Sequence, residues 1–123
     1  MNENYLYNEI TEKIIGCVYK VYNHLGSGFL EKVYENALKI ELEHENLKVQ
    51  QQYPIKVYYK DTVIGEYFAD LFIEDKIIIE LKIAKEINKI HEVQLVNYLK
   101  ATGIRVGLLI NLNNGVKIKR KIV

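Results

Sequence analysis

Two acidic residues and one lysine stand where charged side chains are out of place. Asp70 sits in Tyr67-Phe68-Ala69-Asp70-Leu71-Phe72, and Glu80 and Lys82 sit in Ile78-Ile79-Glu80-Leu81-Lys82; both runs are otherwise apolar. Residues two apart on a strand share a face, so Glu80 and Lys82 point the same way. If the two runs pair through a turn at Glu74-Asp75, Asp70 and Glu80 lie at similar distances from the hairpin tip, and two carboxylates and a lysine converge. Close carboxylates repel, and burial disfavours their charged forms. A divalent cation offsets both effects. Magnesium, or manganese in its place, favours hard oxygen ligands, keeps several waters and bridges to phosphate oxygens. The chemistry that follows is phosphodiester hydrolysis, with the metal neutralising developing charge and helping to generate hydroxide. Lys82 can orient the attacking water, deprotonate it, or stabilise charge on the phosphorus; residue type and spacing leave these roles open. An ordinary cross-strand Asp–Lys or Glu–Lys pair is the plainer alternative. It accounts for any one of these residues better than for all three in so apolar a setting.

The elements that must position this group are legible from periodicity. Leu6, Ile10, Ile14, Cys17, Val21 and Leu25 form one helical stripe and predict a first helix from about Tyr5 to Leu25, stopped by Gly26-Ser27-Gly28. A second helix opens at Ser27 or Gly28 and runs to about Asn46, with Leu30, Val33, Tyr34, Ala37 and Leu38 on its apolar side. The pattern then changes to β. Strands are expected over Val49–Tyr59, Val63–Phe72 and Lys76–Ile83, with turns at Lys60-Asp61 and Glu74-Asp75. Ile77-Ile78-Ile79 suggests burial on both faces. A helix from about Asn88 to Ala101 carries apolar Ile90, Val93, Leu95, Val96, Tyr98 and Leu99, and Thr102-Gly103 ends it. An interior strand follows over Ile104–Asn111. Val116–Val123 alternates apolar and basic residues, as suits an edge strand guarded by lysines. The order predicts an α/β domain with a central mixed sheet flanked by helices.

Bulk composition narrows the class. The chain has 123 residues, 49% of them hydrophobic and 27% charged, which suits a single domain over 1–123 with one core. A net charge of +1 argues against strong general attraction to a polyanion, so any basic surface must be local. The single cysteine, Cys17, excludes an internal disulfide and a cysteine-based zinc site and reads as a buried, inert thiol. Met1-Asn2-Glu3-Asn4 lacks the basic and apolar regions of a signal peptide, and no run approaches the length of a membrane span. The expectation is a cytoplasmic domain.

Asp70 followed by Glu80-Leu81-Lys82 resembles the D…(D/E)-x-K signature of the PD-(D/E)XK nuclease superfamily. Gly28-Phe29-Leu30-Glu31-Lys32-Val33-Tyr34 reads as G-x-x-E-x-x-Y, similar to the motif that names the GxxExxY family within it. Gln94-Leu95-Val96-Asn97-Tyr98 reads as Q-x-x-x-Y, similar to the helix motif of exonuclease-type members. Val21–Gly26, Asn97–Gly103 and Gly107–Asn111 share the family look, so the resemblance covers nearly the whole chain. The usual Pro-Asp is Ala69-Asp70 here. The resemblance implies a restriction-endonuclease-like core in αβββαβ order, a Mg2+ or Mn2+ site formed by Asp70, Glu80 and the Leu81 carbonyl, and a catalytic Lys82. It also implies that Glu31, on the first motif, supplements the metal shell.

Other residues have two readings each. Glu31 and Glu35 share a helix face, either beside the metal or simply in solvent. Gln94 and Tyr98 also share a face. Gln94 can bind a metal water or a phosphate, and Tyr98 can hold Lys82 or stack near substrate; a polar helix edge with a half-buried tyrosine is the alternative. His24, His44 and His91 form no helical ligand pair, so a histidine-based metal centre is not expected. His91 can reach the phosphate path but suits the surface equally. Lys117-Ile118-Lys119-Arg120-Lys121 either contacts a phosphate backbone or guards the sheet edge. The leading expectation is a metal-dependent nuclease acting on DNA or RNA, gripping it with help from a second copy or a partner subunit. The alternative is a non-catalytic module that keeps the fold to bind nucleic acid or a protein.

Overall fold

The structure, a computed structural model, describes residues 6–123. The start proposed for the first helix at Tyr5, and the Met1–Asn4 segment, lie outside the described residues. The element order is α1 (Asn8–Leu25), α2 (Glu31–His44), β1 (Val49–Tyr59), β2 (Thr62–Ile73), β3 (Ile77–Lys82), α3 (Lys89–Thr102), β4 (Val106–Asn111) and β5 (Lys117–Ile122). The strands form one sheet in the order β1-β2-β3-β4-β5, antiparallel throughout except for the parallel β3–β4 pair. A parallel pair needs a crossover, and α3 supplies it. This is the α/β, αβββαβ architecture expected from the sequence, with β5 as an extra edge strand.

Helices cover both faces. Ile14, Cys17, Val18 and Val21 of α1 and Tyr34, Leu38 and Leu42 of α2 pack on Leu71, Ile73, Ile77, Ile79 and Leu81. Leu95, Tyr98 and Leu99 of α3 pack on the opposite face against Ile55, Ala69, Phe72, Ile78 and Leu109. Ile77, Ile78 and Ile79 are all fully buried, as a strand sandwiched between helices requires. Each such side chain removed from water contributes about 1.5–3 kcal/mol. Close packing at Gly107 fixes the height of α3: a Cβ there would meet Leu95 Cδ1 at 2.7 Å. Cys17 is buried, and burial pushes its thiol up.

The turns behave as the sequence indicates. Lys60 and Asp61, and Glu74 and Asp75, all have positive φ, the conformation of the primed turns whose twist matches a hairpin. Three expectations fail. The second helix begins at Glu31 rather than at Ser27 or Gly28, because the Ser27 hydroxyl is engaged by Tyr22 Oη at 2.7 Å and by the Asn114 N–H at 3.1 Å and caps nothing. Leu30 is 79% exposed and Val33 is also exposed; the buried side of α2 runs through Tyr34, Leu38 and Leu42 instead. Ile90 and Val93 of α3 are 72% and 52% exposed, since the sheet is covered by the Leu95–Tyr98–Leu99 side of that helix.

Candidate active site

The β1–β2 hairpin changes face part-way along its length. Val49 and Gln51 face α1 and α2, whereas Tyr53 and Ile55 face α3; on β2, Leu71 and Ile73 face the first layer and Ala69 the second. Strict alternation would put each of these sets on a single face. The change occurs at Gln52 and Asp70. The ladder runs Gln51↔Leu71 and then Tyr53↔Ala69, omitting the pair between, and Gln52 has φ 51. A left-handed residue inside a strand re-aims the chain as a bulge does, at a cost of about 1–3 kcal/mol for a non-glycine residue.

At the same level β2 and β3 part. Their backbone pairing ends at Leu71↔Ile79. Beyond it, side chains occupy the places of ladder partners. The Leu81 N–H donates to Asp70 Oδ2 at 2.7 Å, and the Asp70 N–H donates to Glu80 Oε1 at 3.3 Å. Asp70 and Glu80 are therefore drawn together across the gap, as expected if the hairpin closes at Glu74-Asp75. The N–H and C=O of one residue in an extended strand point to the same side, so the Leu81 carbonyl is directed to this gap as well. The Lys82 carbonyl, one residue on, faces β4 and accepts from the Leu112 N–H at 3.1 Å.

The electrostatics of the gap are those of crowded carboxylates. Glu80 is 7% exposed; burial first, and the Asp70 charge second, push its carboxyl up to about 8. Burial also raises Asp70, partly offset by the Leu81 N–H. Glu31, the first residue of α2, is raised by burial and then lowered by the Lys82 charge. The Lys82 ammonium acts on Glu31, Asp70 and Glu80 alike, yet makes no hydrogen bond or ion pair among the described residues. Its charge reaches all three carboxylates, and it forms an ion pair with none of them.

Glu35 has a different position from Glu31. It is 3% exposed and saturated: Lys32 Nζ at 3.0 Å and Gln51 Nε2 at 2.6 Å donate to Oε2, and Gln52 Nε2 at 2.9 Å donates to Oε1. Gln52 Nε2 also reaches Asp70 Oδ1 at 3.4 Å. A chain of polar contacts thus runs from α2 through the left-handed residue to the carboxylate pair. Neither Gln51 nor Gln52 was singled out from the sequence, and no periodicity signal marks them. Asn111 is a third residue missed. Buried at the end of β4, it accepts from the Ala84 N–H at 3.0 Å and donates to the Ala84 carbonyl at 2.8 Å, holding the segment that follows Lys82.

The remaining candidates divide. Gln94 Nε2 donates to Tyr98 Oη at 2.9 Å, so this pair shares a helix face as expected, and Gln94 is turned to Tyr98 rather than to a carboxylate. The Tyr98 hydroxyl is pushed up to about 12 by burial and then by the Glu80 charge. In the G-x-x-E-x-x-Y segment, Gly28 has φ 105, which glycine alone adopts freely, and the buried Tyr34 hydroxyl donates to the Gly26 carbonyl, pinning the turn that starts α2 at Glu31. His91 Nδ1 accepts from the Asn88 N–H at 3.3 Å and helps cap α3. Lys119 and Lys121 pair with Glu92 at 3.3 and 2.7 Å, which ties α3 to the edge strand and leaves that basic segment less able to serve a phosphate backbone.

A divalent cation fits this donor set. Among the described residues no three His, Cys, Asp or Glu side chains form a ready-made cage. Magnesium does not require one, since it takes one or two carboxylates and keeps its waters. Asp70, Glu80 and the Leu81 carbonyl are hard oxygen donors at one gap, and the raised carboxyl of Glu80 shows how poorly the pair tolerates its own charge.

Comparison with known proteins agrees with this geometry. No curated protein matches the sequence. The fold is similar to the crystal structure of SSO0001, with a TM-score of 0.60 at 21% identity; the match covers 97% of this chain and 60% of that one. This chain thus spans less than two thirds of that protein's length. Among the described residues, no helix is long and apolar enough to cross a membrane. The model of the PD-(D/E)XK nuclease superfamily matches residues 8–122, from the first turn of α1 to the last residue of β5, and the chain belongs to that superfamily.

Proposed function

We propose that the chain is a metal-dependent phosphodiesterase of the GxxExxY branch, acting on DNA or RNA. Asp70, Glu80 and the Leu81 carbonyl would hold Mg2+ or Mn2+, with Glu31 at the rim. The observation that carries this reading is the break in the β2–β3 ladder, where two carboxylates replace backbone partners within reach of the charge of an unpaired Lys82. A cation bound there supplies charge neutralisation at the phosphate and lowers the pKa of a water. Lys82 stands free to exchange a proton with the attacking water and to balance negative charge gathering on the phosphate. Gln52 and Glu35 hold Asp70 in place, and Asn111 holds the strand end that carries Lys82. The near-neutral chain gains further grip from a second copy or a partner subunit, and the reading places it in the cytoplasm.

The test is direct. Mn2+ should bind the protein at one site by calorimetry, and labelled DNA or RNA should be cut with Mg2+ or Mn2+. Asp70→Ala should lose both properties, and Lys82→Ala should lose cleavage. Cleavage surviving in both variants, or no binding at millimolar Mn2+, removes this reading in favour of a non-catalytic binding module.

A further inference from the structure

Ile90 and Val93 are large apolar residues that α3 presents to solvent rather than to the core. They are not scattered. With Val57 and Tyr67 of the hairpin arm and Tyr98 at the base, they line a cleft of about 590 Å³ between α3 and the outer part of the β1–β2 hairpin. The Tyr67 and Tyr98 rings lie 5.4 Å apart and are tilted by 39°. The polar lining is Gln94, Asn97 and Lys100, so the cleft offers amide donors and acceptors and one ammonium, and no carboxylate. Tyr98 belongs both to the cleft and to the surroundings of the carboxylate pair, since the charges of Glu80 and Asp70 reach its hydroxyl.

The cleft answers a difficulty in the charge balance. A chain of net charge +1 cannot grip a nucleic acid through general attraction, and Lys119 and Lys121 are engaged by Glu92. An apolar, aromatic cleft with an amide edge and no carboxylate fits a flat ring that has polar edge groups and an attached phosphate. Bases held in a duplex are stacked on their neighbours and cannot enter such a cleft; unpaired bases can, and stacking on tyrosine is tolerant of sequence. We propose that this cleft seats an unpaired nucleobase of the strand whose phosphodiester lies at the Asp70–Glu80 pair, so that the substrate is single-stranded or has an unpaired end. The proposal rests on the phosphodiesterase reading for the position of that phosphate.

The experiment measures binding of labelled oligothymidylate, oligouridylate and a fully paired duplex of equal length by fluorescence anisotropy. The full chain is used with Ca2+ to suppress cleavage, across a range of salt. The expected result is affinity for a single strand at least about ten-fold above that for duplex, with a salt dependence corresponding to one or two released counterions. Tyr67→Ala should weaken single-strand binding about ten-fold, Tyr67→Phe should not, and Val93→Asp on the exposed helix face should weaken it too. Mn2+ binding should be unchanged in all three. Equal affinity for duplex, single-strand affinity unaffected by both Tyr67→Ala and Val93→Asp, or self-association through the cleft that Val93→Asp abolishes would overturn the proposal. Metal binding and cleavage with duplex preference would defeat the cleft alone; single-strand binding without metal binding or cleavage would defeat the phosphodiesterase reading alone.

Discussion

Asp70 and Glu80 are joined through a backbone amide: the Asp70 N–H donates to Glu80 Oε1 at 3.3 Å while the Asp70 carboxylate accepts from Leu81 on the other side of the gap. The contact draws two acids together, and the cation whose charge offsets both is the unpaired Lys82. Asp70→Asn keeps an oxygen for the Leu81 N–H and removes the repulsion. The metal-free variant should therefore be more stable than the parent near neutral pH by about 1 kcal/mol, or about 4 °C in Tm, while its Mn2+ affinity collapses. A variant less stable than the parent would mean that the carboxylates do not strain the fold.

The pH dependence has a definite sign. Glu80 is held up to about 8 in the folded chain, against 4.5 for an ordinary glutamate. Between those values the native state binds the extra proton, so the stabilising contribution is complete below the ordinary value and is lost as pH rises through about 8. Asp70 and Glu31 are shifted in the same direction. Thermal melts of the metal-free protein should show Tm falling across that window. Saturating Mn2+ should flatten the profile, and Mn2+ affinity should rise with pH as the proton is displaced.

Lys82 lowers all three carboxylates through its charge. Lys82→Ala should consequently move the pH midpoint of Mn2+ binding upwards and reduce cleavage by about 10²-fold or more. At alkaline pH the binding should recover and the cleavage should not. Recovery of both would assign Lys82 to tuning the acids rather than to the reaction.

Gln52 offers an unusual comparison of two truncations. Alanine removes its bridge between Glu35 and Asp70 and keeps the left-handed strain, whereas glycine removes the bridge and the strain together. In urea titrations Gln52→Gly should be more stable than Gln52→Ala by about 1 kcal/mol, the reverse of the usual order in a strand. Both should weaken Mn2+ binding, because Asp70 loses its Oδ1 partner. Alanine proving the more stable of the two would rule out strain at this position.

The strands, the turns and the meeting of Asp70 with Glu80 were legible because each follows from local rules: β-branched runs, polar turn pairs and equal distance from a hairpin tip. Helix faces were legible only in part. Periodicity places Leu30, Val33, Ile90 and Val93 on apolar stripes, but the width of the stripe that becomes buried is set by the sheet underneath, which a helix pattern does not encode. Gln52 was illegible for a different reason. Glutamine carries no preference for positive φ, so nothing in its type announces that the hairpin turns over there. Helical spacing shows Glu35 only as a neighbour of Glu31 on one face, whereas its burial and its three donors make it the fixed point on which Gln52 hangs.

The face change at Gln52 and Asp70 divides the hairpin into two parts with separate obligations. The root, paired to β3, cannot shift without misaligning the carboxylates. The arm from Tyr53 to Ala69 pairs with itself alone, keeping one register from Tyr53↔Ala69 to Val57↔Gly65 before it slips by one residue near the tip. Its base is held by α3, on which Tyr53, Ile55 and Ala69 pack, whereas the exposed tip from 58 to 63 can be lengthened, shortened or exchanged in matched pairs while the triad stays where it is. The tip is a replaceable cassette: grafting a different 58–63 turn onto this arm is a way to redirect what the centre engages without rebuilding the centre.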